Sequence, residues 1–520
     1  MESQAQPAED SALQQEWRER VNLTCAALDV HAYAGSLVVL ERWALSVVRR
    51  GVEKHLLVCS ESEPRAAELS GTPYDVPSRK TPVRVTLCPL TPDNAATLRK
   101  HLPFTRPIVP RRGASIGTGD RLGLATPGHV QAIRTSALKP VLAQQSIREM
   151  TRTQRTAQEV LDDATWGVLQ AGYREGLAAD ADHLRTIEDV ALTVDAGYSM
   201  YTIDPGHHVD DSAEQADVSD LAARVEALPW DTLRCTPEDC RRLYADQTVT
   251  VSGERQAFQL VVSDRELLRA VVKYGRAIAH AVVLYQYLAG RCAREDFAFE
   301  LSVDETDTPT SAVEHFYIAS ELKRLGLQWD GLAPRFVGQF YKGIDYVGDL
   351  AEFRTEFAKH VLIAQHFGGY KISLHSGSDK FSIYPIIAEL AGDLIHIKTA
   401  GTSYLEALRV VAQAAPDLFR EILAFAKQRY GAEKASYHVC ADVARIPEPD
   451  TLRDEDLPTL FDQSDARQVC HVTFGSVLTS KGPDGSFRFR DDLLSVLKRN
   501  EEMYYGLLEE HFLRHISPFR

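Results

Sequence analysis

The chain has 520 residues, of which 44% are apolar and 25% charged, and a formal charge of −15. That is the balance of an ordinary folded protein, with room for one large domain or two to three average ones. The acidic surface argues against nucleic acid or an anionic membrane as the main partner, while a locally basic pocket can still take an anionic small molecule.

No stretch reaches the roughly 18 consecutive apolar residues of a membrane-spanning helix. The polar, acidic start lacks the basic-then-apolar pattern of a signal peptide. The eight cysteines (25, 59, 88, 235, 240, 292, 440 and 470) are scattered without a CxxC spacing. That fits reduced thiols and a cytoplasmic location.

Residues 1–20 read as a ragged, polar lead-in. Residues 21–110 read as a small α/β lobe and linker. Apolar runs at Ser36–Leu40, His55–Cys59 and Val83–Leu87 suggest strands, Trp43–Val48 a helix, and the proline-rich Pro103–Pro110 the linker.

Beyond it, short β-type runs alternate with amphipathic helical runs. Eight candidate strands fall at Ala114–Gly119, Val141–Ile147, Gly176–Asp182, Met200–Ile203, Phe297–Val303, Leu332–Val337, Lys371–Leu374 and Leu394–Lys398. Between them, Thr156-x-x-Glu159, Thr186-x-x-Asp189, Ser311-x-x-Glu314 and Ser403-x-x-Glu406 have the form of capping boxes at helix starts. Alternating strands and helices imply a parallel sheet, and eight units imply an α/β fold closed as a (β/α)8 TIM barrel over residues 111–410.

The regularity breaks over 207–265, an acidic insertion after the fourth strand. A long helix near Leu267–Ala289 returns to the barrel. Residues 411–520 read as a mostly helical extension packed on the barrel, with one strand-like run, Val469–Val477.

Every one of the eight strand ends carries polar residues. Barrel-facing residues are usually branched and apolar, so this face is expected to be a working site. His183 and His375 are the natural metal ligands, each beside a carboxylate, Asp182 and Asp379. Gln339, Glu300 or Asp304 could supply a third. Asp182 and Glu300 form an acid/base pair. Glu300, Ser302 and Asp304 share one parity and can all face the interior. Lys398, Lys380, Lys342 and Arg121 could hold a substrate carboxylate. The Ser376-Gly377-Ser378 turn could cradle an anion. No P-loop and no GxGxxG after a strand points to a nucleotide.

These strand ends resemble the tagaturonate epimerases, also called hexuronate C4-epimerases. The resemblance rests on Gly119-Asp120-Arg121-Leu122-Gly123-Leu124-Ala125-Thr126-Pro127-Gly128-His129 and Ala179-Asp180-Ala181-Asp182-His183. It continues through Ser302-Val303-Asp304-Glu305-Thr306-Asp307-Thr308-Pro309-Thr310, Leu374-His375-Ser376-Gly377-Ser378-Asp379-Lys380-Phe381-Ser382 and His396-Ile397-Lys398-Thr399-Ala400-Gly401-Thr402-Ser403-Tyr404. It implies a metal-dependent interconversion of tagaturonate and fructuronate, with Asp182 as proton acceptor and Glu300 as the opposing acid. His183, His375 and Gln339 would hold a divalent cation, for which zinc, manganese, nickel and cobalt all suit the donors.

Asp120, Arg121, Ser376, Asp379, Lys380 and Lys398 are then expected at the substrate, a small keto-sugar acid. Arg185 stands where the family pattern has lysine, and His207-His208 where it has an acid, which points to a shifted sugar preference. Homo-oligomerisation stays open. A metal-dependent sugar aldolase or ketose isomerase is the alternative enzyme, and a non-catalytic sugar-acid binder the alternative of another class.

Overall fold

A computed structural model of the chain describes residues 11–61, 64–76 and 83–519. The eight barrel strands, numbered here in chain order, are β1 (Ser115–Thr118), β2 (Lys139–Ser146), β3 (Ala178–Leu184), β4 (Met200–Ile203), β5 (Ala298–Val303), β6 (Gly331–Pro334), β7 (Lys371–Leu374) and β8 (Ile395–Thr399). Each pairs in parallel with its neighbours in sequence, and β8 closes on β1 through Lys398 opposite Gly117 and Thr399 opposite Thr118. All eight overlap the runs read from the sequence. All are buried along most of their length, as a sheet sheathed by helices requires.

The helix starts obey local chemistry in three of the four expected places. Thr156 with Glu159, Thr186 with Asp189 and Ser311 with Glu314 each form both bonds of a capping box. The fourth expectation fails. Helix Thr402–Ala414 starts after Gly401 without a side-chain cap, because Ser403 is bonded to His129 and Glu406 to Arg409. Two further boxes form at Ser146/Glu149 and Ser263/Glu266.

The amino-terminal lobe corrects one assignment. Trp43–Arg50 is not helical but a strand of a six-stranded antiparallel sheet, paired along its whole length with Glu53–Ser60. Its two faces are both covered. Ala44 and Val48 pack with Trp17 and Val21 of helix Ser11–Leu28, whereas Trp43, Leu45 and Val47 pack with Trp166 and Leu169 of barrel helix Ala157–Ala171. A strand buried on both faces has no alternation, so its apolar run looks like a buried helix.

The ragged lead-in lies partly outside the described residues, and from Ser11 it is helix. The proline-rich linker is pinned to the barrel, with the Ile108 amide donating to the Leu177 carbonyl at 2.7 Å.

The 207–265 segment holds short helices and the hairpin Gln247–Ser252/Ala257–Val262, followed by helix Asp264–Arg291. In the carboxyl-terminal part, Val469–Val477 is the second correction. It lies in helices Ser464–Val472 and Phe474–Thr479, where tertiary packing on nearly every side overrides the strand preference of its valines. Helix Glu501–Ile516 packs against helix Thr126–Ile133 at Gly128, where a β-carbon would stand 2.8 Å from the Leu508 side chain. Among the described residues no helix is long and apolar enough to cross a membrane.

Candidate active site

Strand parity brings Asp180 and Asp182 of β3, Thr202 of β4, Glu300 of β5 and Lys398 of β8 into the barrel interior. The Lys398 ammonium is the hub. It lies 2.8 Å from Asp180, 2.8 Å from Asp182 and 2.9 Å from Glu300, and donates to the Thr202 hydroxyl at 2.7 Å. Burial alone would discharge this lysine, but three carboxylates hold its pKa well above the ordinary value. Burial likewise opposes the Asp182 and Glu300 anions, yet neighbouring cations hold both well below the usual carboxylate range. Asp180 is pushed up to about 6, since full burial and the nearby Asp182 and Glu300 charges outweigh Lys398. Glu300 needs a small neighbour, and a β-carbon on Gly331 would fall 2.7 Å from its Oε2.

Above this hub sit two imidazoles, His183 at the end of β3 and His375 just past β7, with ring centres 5.0 Å apart. Each is held by carboxylates. His183 Nδ1 lies 3.3 Å from Asp204, and His375 Nδ1 lies 3.1 Å from Asp304 while its Nε2 lies 2.8 Å from Glu300. Burial disfavours the charged rings, but Asp182 and Asp204 raise His183 to about 10, and Asp304 and Glu300 raise His375. His183 has φ 54 and Ser376 φ 51, left-handed conformations that cost energy in non-glycine residues and cluster at functional sites.

Asp182, His183 and His375 each offer one ligand atom, all within 4.8 Å of one another. Two imidazoles and a carboxylate form a donor set suited to a divalent transition metal or zinc. Bonding at Nδ1 fixes the ring so that Nε2 can serve as the ligand atom. Glu300 Oε2 is buried without a hydrogen-bond partner, a polar atom left over for a guest.

A small cavity of ≈ 40 Å³ opens on Asp182, His183, His375, Ser376 and Lys398. A wider cavity of ≈ 580 Å³, within the usual size range of small-ligand sites, shares Lys342, His375 and Ser376 with it.

Of the residues expected at the site, Asp182, His183, Glu300, His375 and Lys398 form one bonded cluster, and Ser376 lines both cavities. Lys342 lines both cavities as well, whereas Gln339, Asp120, Arg121, Asp379 and Lys380 do not line the small one. Gln339 has its amide oxygen 2.7 Å from His438 Nε2. Asp120 is taken up by the amides of Leu122, Gly123 and Ala125. Arg121 is committed to Glu149 and the His471 carbonyl and lies over the Phe474 ring. Asp379 is tied to Arg467 and His511, and Lys380 donates to the carbonyls of Tyr341, Ile344 and Ser378. Asp180, Thr202 and Asp204 were not singled out from the sequence. The signal for Asp180 was available, since it shares the inward parity of Asp182, whereas Thr202 enters the site by pairing opposite Glu300 across two strands.

A (β/α)8 barrel with an ionised acid/base cluster and paired imidazoles at its carboxyl-terminal mouth defines an enzyme of proton-transfer chemistry on a small polar substrate. Comparison with known proteins narrows the class. The family profile described as tagaturonate epimerase matches residues 33–519. The tagaturonate/fructuronate epimerase of Thermotoga maritima is 43% identical over 464 residues, 89% of this chain and 92% of that one. Two crystal structures of the fructuronate-tagaturonate epimerase of Cohnella laeviribosi, one with glycerol and one native, superpose with a TM-score of 0.88. They are 38% and 37% identical, and cover 96% and 97% of this chain and 99% of their own. The chain belongs to the tagaturonate epimerase family, and its enzyme class is carbohydrate isomerase.

Proposed function

We propose that the protein interconverts D-tagaturonate and D-fructuronate by inversion at C4, in a reducing cytoplasm that suits its eight unpaired cysteines. The observation that carries this reading is the bonded cluster of Asp182, Glu300 and Lys398 beneath His183 and His375.

The chemistry constrains the route. The C4 hydrogen is β to the C2 ketone and is not acidic, so simple enolisation would scramble C3 instead. A retro-aldol step meets the requirement. Asp182 takes the proton of the C4 hydroxyl, the C3–C4 bond breaks with its electron pair left on C3, and C4 becomes the aldehyde of a three-carbon acid. After the aldehyde turns its other face, C3 attacks it, the bond re-forms, and Glu300 protonates the C4 oxygen, having received the proton taken by Asp182 through the Lys398 ammonium that bridges the two carboxylates. Lys398 keeps Asp182 and Glu300 ionised until the substrate arrives. A divalent cation held by His183 and His375, with Gln339 as the expected third donor and the Asp182 carboxylate within reach, would supply Lewis-acid polarisation of the C2 ketone and C3 hydroxyl.

Purified, metal-supplemented protein incubated with tagaturonate should yield fructuronate by chromatography. Conversion should stop with a chelator and in His375→Ala, and metal content should fall in that variant. Accumulation of three-carbon fragments would indicate an aldolase, a moved carbonyl an isomerase of another kind, and binding without turnover a sugar-acid binding protein.

A further inference from the structure

Four cations were candidates to receive a substrate carboxylate, and three are consumed. Lys398 is shared among three carboxylates, Lys380 among three carbonyls, and Arg121 between Glu149 and the His471 carbonyl. The arginines that line the wide cavity from the β2 and β3 ends are also spent. Arg148 pairs with Glu305 at 2.7 Å, and Arg185 pairs with Asp204 at 2.6 Å and Glu305 at 3.1 Å.

Lys342 differs. Among the described residues no carboxylate lies within ion-pair reach of its ammonium, whose side-chain hydrogen bond goes to the neutral Ser376 hydroxyl at 2.6 Å. It lines both cavities. Arg335, earlier on the same β6 loop, lines the wide cavity and likewise has no ion pair among the described residues.

The loop that carries Lys342 is clamped by its backbone. Lys380 holds the carbonyls of Tyr341 and Ile344, Arg467 holds that of Gly343 at 2.7 Å, and the Lys342 amide donates to the His438 carbonyl at 3.2 Å. An ammonium offered on a rigid backbone, at the wall between the two cavities and with no carboxylate paired to it, is pre-organised for an incoming anion.

We propose that Lys342 and Arg335 bind the terminal carboxylate of the sugar acid in the wide cavity, and so set the preference for a hexulosonate over a neutral ketohexose. This rests on the epimerase reading. It adds a positional consequence, because C1 to C4 then occupy the small cavity at Asp182, His183 and His375, and the carboxylate lies on the Lys342 side. In the retro-aldol route the same anchor retains the three-carbon aldehyde acid while its aldehyde end turns, since the carboxylate travels with that fragment.

The test compares metal-supplemented wild-type protein with Lys342→Met, Arg335→Met and Lys342→Arg. Affinities are measured calorimetrically for tagaturonate and for the neutral ketohexose that carries a primary alcohol in place of the carboxylate. Charge-assisted hydrogen bonds lost from such a site weaken binding roughly 10- to 100-fold. The methionine variants should lose that much affinity for the acid while affinity for the neutral sugar holds, so that the acid-to-neutral preference collapses, and Lys342→Arg should restore part of it. Equal weakening toward both sugars, or no weakening toward the acid, overturns the assignment. A Ser376→Ala variant with the full Lys342→Met effect would overturn it too, by placing the effect in the turn. Wild-type protein that neither binds nor converts tagaturonate would instead fail the epimerase reading itself.

Discussion

Replacing Lys398 with methionine removes a cation while nearly preserving the side-chain stem, so the packing change is small. What remains is Asp180, Asp182 and Glu300, all buried and formerly within 2.9 Å of one ammonium. Removing one partner of a buried ion pair costs about 3–5 kcal/mol. Three anions share this partner, yet the penalty is capped because carboxylates without a counter-charge take up protons.

The pH dependence follows from the direction of each shift. In the wild type, Asp182 and Glu300 sit below the ordinary carboxylate range, so they add stability above the unfolded pKa of about 4 and lose it only as pH falls through their folded values. In the variant, burial raises the folded pKa values above the unfolded ones. The carboxylates then destabilise at neutral pH, and this penalty fades as pH falls toward the unfolded value. Urea unfolding followed by circular dichroism should show a deficit of about 3–5 kcal/mol near pH 7.5 that shrinks markedly near pH 5. A deficit under about 1 kcal/mol near neutrality, or one independent of pH, would refute the account of Lys398 as the counter-charge of the cluster.

Two further substitutions probe how the site is held. Gly331→Ala puts a methyl group 2.7 Å from Glu300 Oε2 at the start of buried strand β6, and should cut kcat at least about 10-fold by displacing that carboxylate while the circular dichroism spectrum is kept. Near-normal turnover would mean that Glu300 is free to move without loss. Asp379→Asn leaves Arg467 and His511 facing a neutral group, and should cost about 3 kcal/mol in chemical denaturation together with a fall in kcat, because Asp379 fastens the turn that carries His375. Unchanged stability would show that this network contributes little.

The barrel was legible because its signals are local and repeated, in short apolar runs, capping residues and turn glycines recurring unit after unit. The amino-terminal sheet was not, since Trp43–Arg50 is apolar for reasons that lie in Trp17 on one side and Trp166 on the other. The same division runs through the site. Asp182, Glu300 and Lys398 could be chosen by strand-end position and parity, which are properties of the sequence. Asp120, Arg121, Asp379 and Lys380 occupy similar glycine-rich turns and look alike in sequence. They fasten those turns instead of lining the small cavity, and three of them do so through distant groups such as the His471 carbonyl for Arg121, His511 for Asp379 and the Tyr341 carbonyl for Lys380. Only tertiary contact separates a polar residue that faces a ligand from one that secures a loop.

The two histidines share a construction that makes the outer carboxylates testable. Asp204 lies at Nδ1 of His183 and Asp304 at Nδ1 of His375, and Ser302 donates in turn to Asp304. A proton kept at Nδ1 by a carboxylate leaves Nε2 as the ligand atom, which faces Asp182 in His183 and Glu300 in His375. Asp304→Asn keeps the size and an acceptor oxygen but removes the charge that fixes the ring. Such outer carboxylates typically govern 10- to 100-fold in metal affinity, so the variant should bind zinc or manganese about that much more weakly in competition with a chelating dye. Its far-ultraviolet spectrum should match the wild type. Undiminished metal affinity would mean that packing alone orients His375, and the Asp304 carboxylate would then serve the substrate rather than the imidazole.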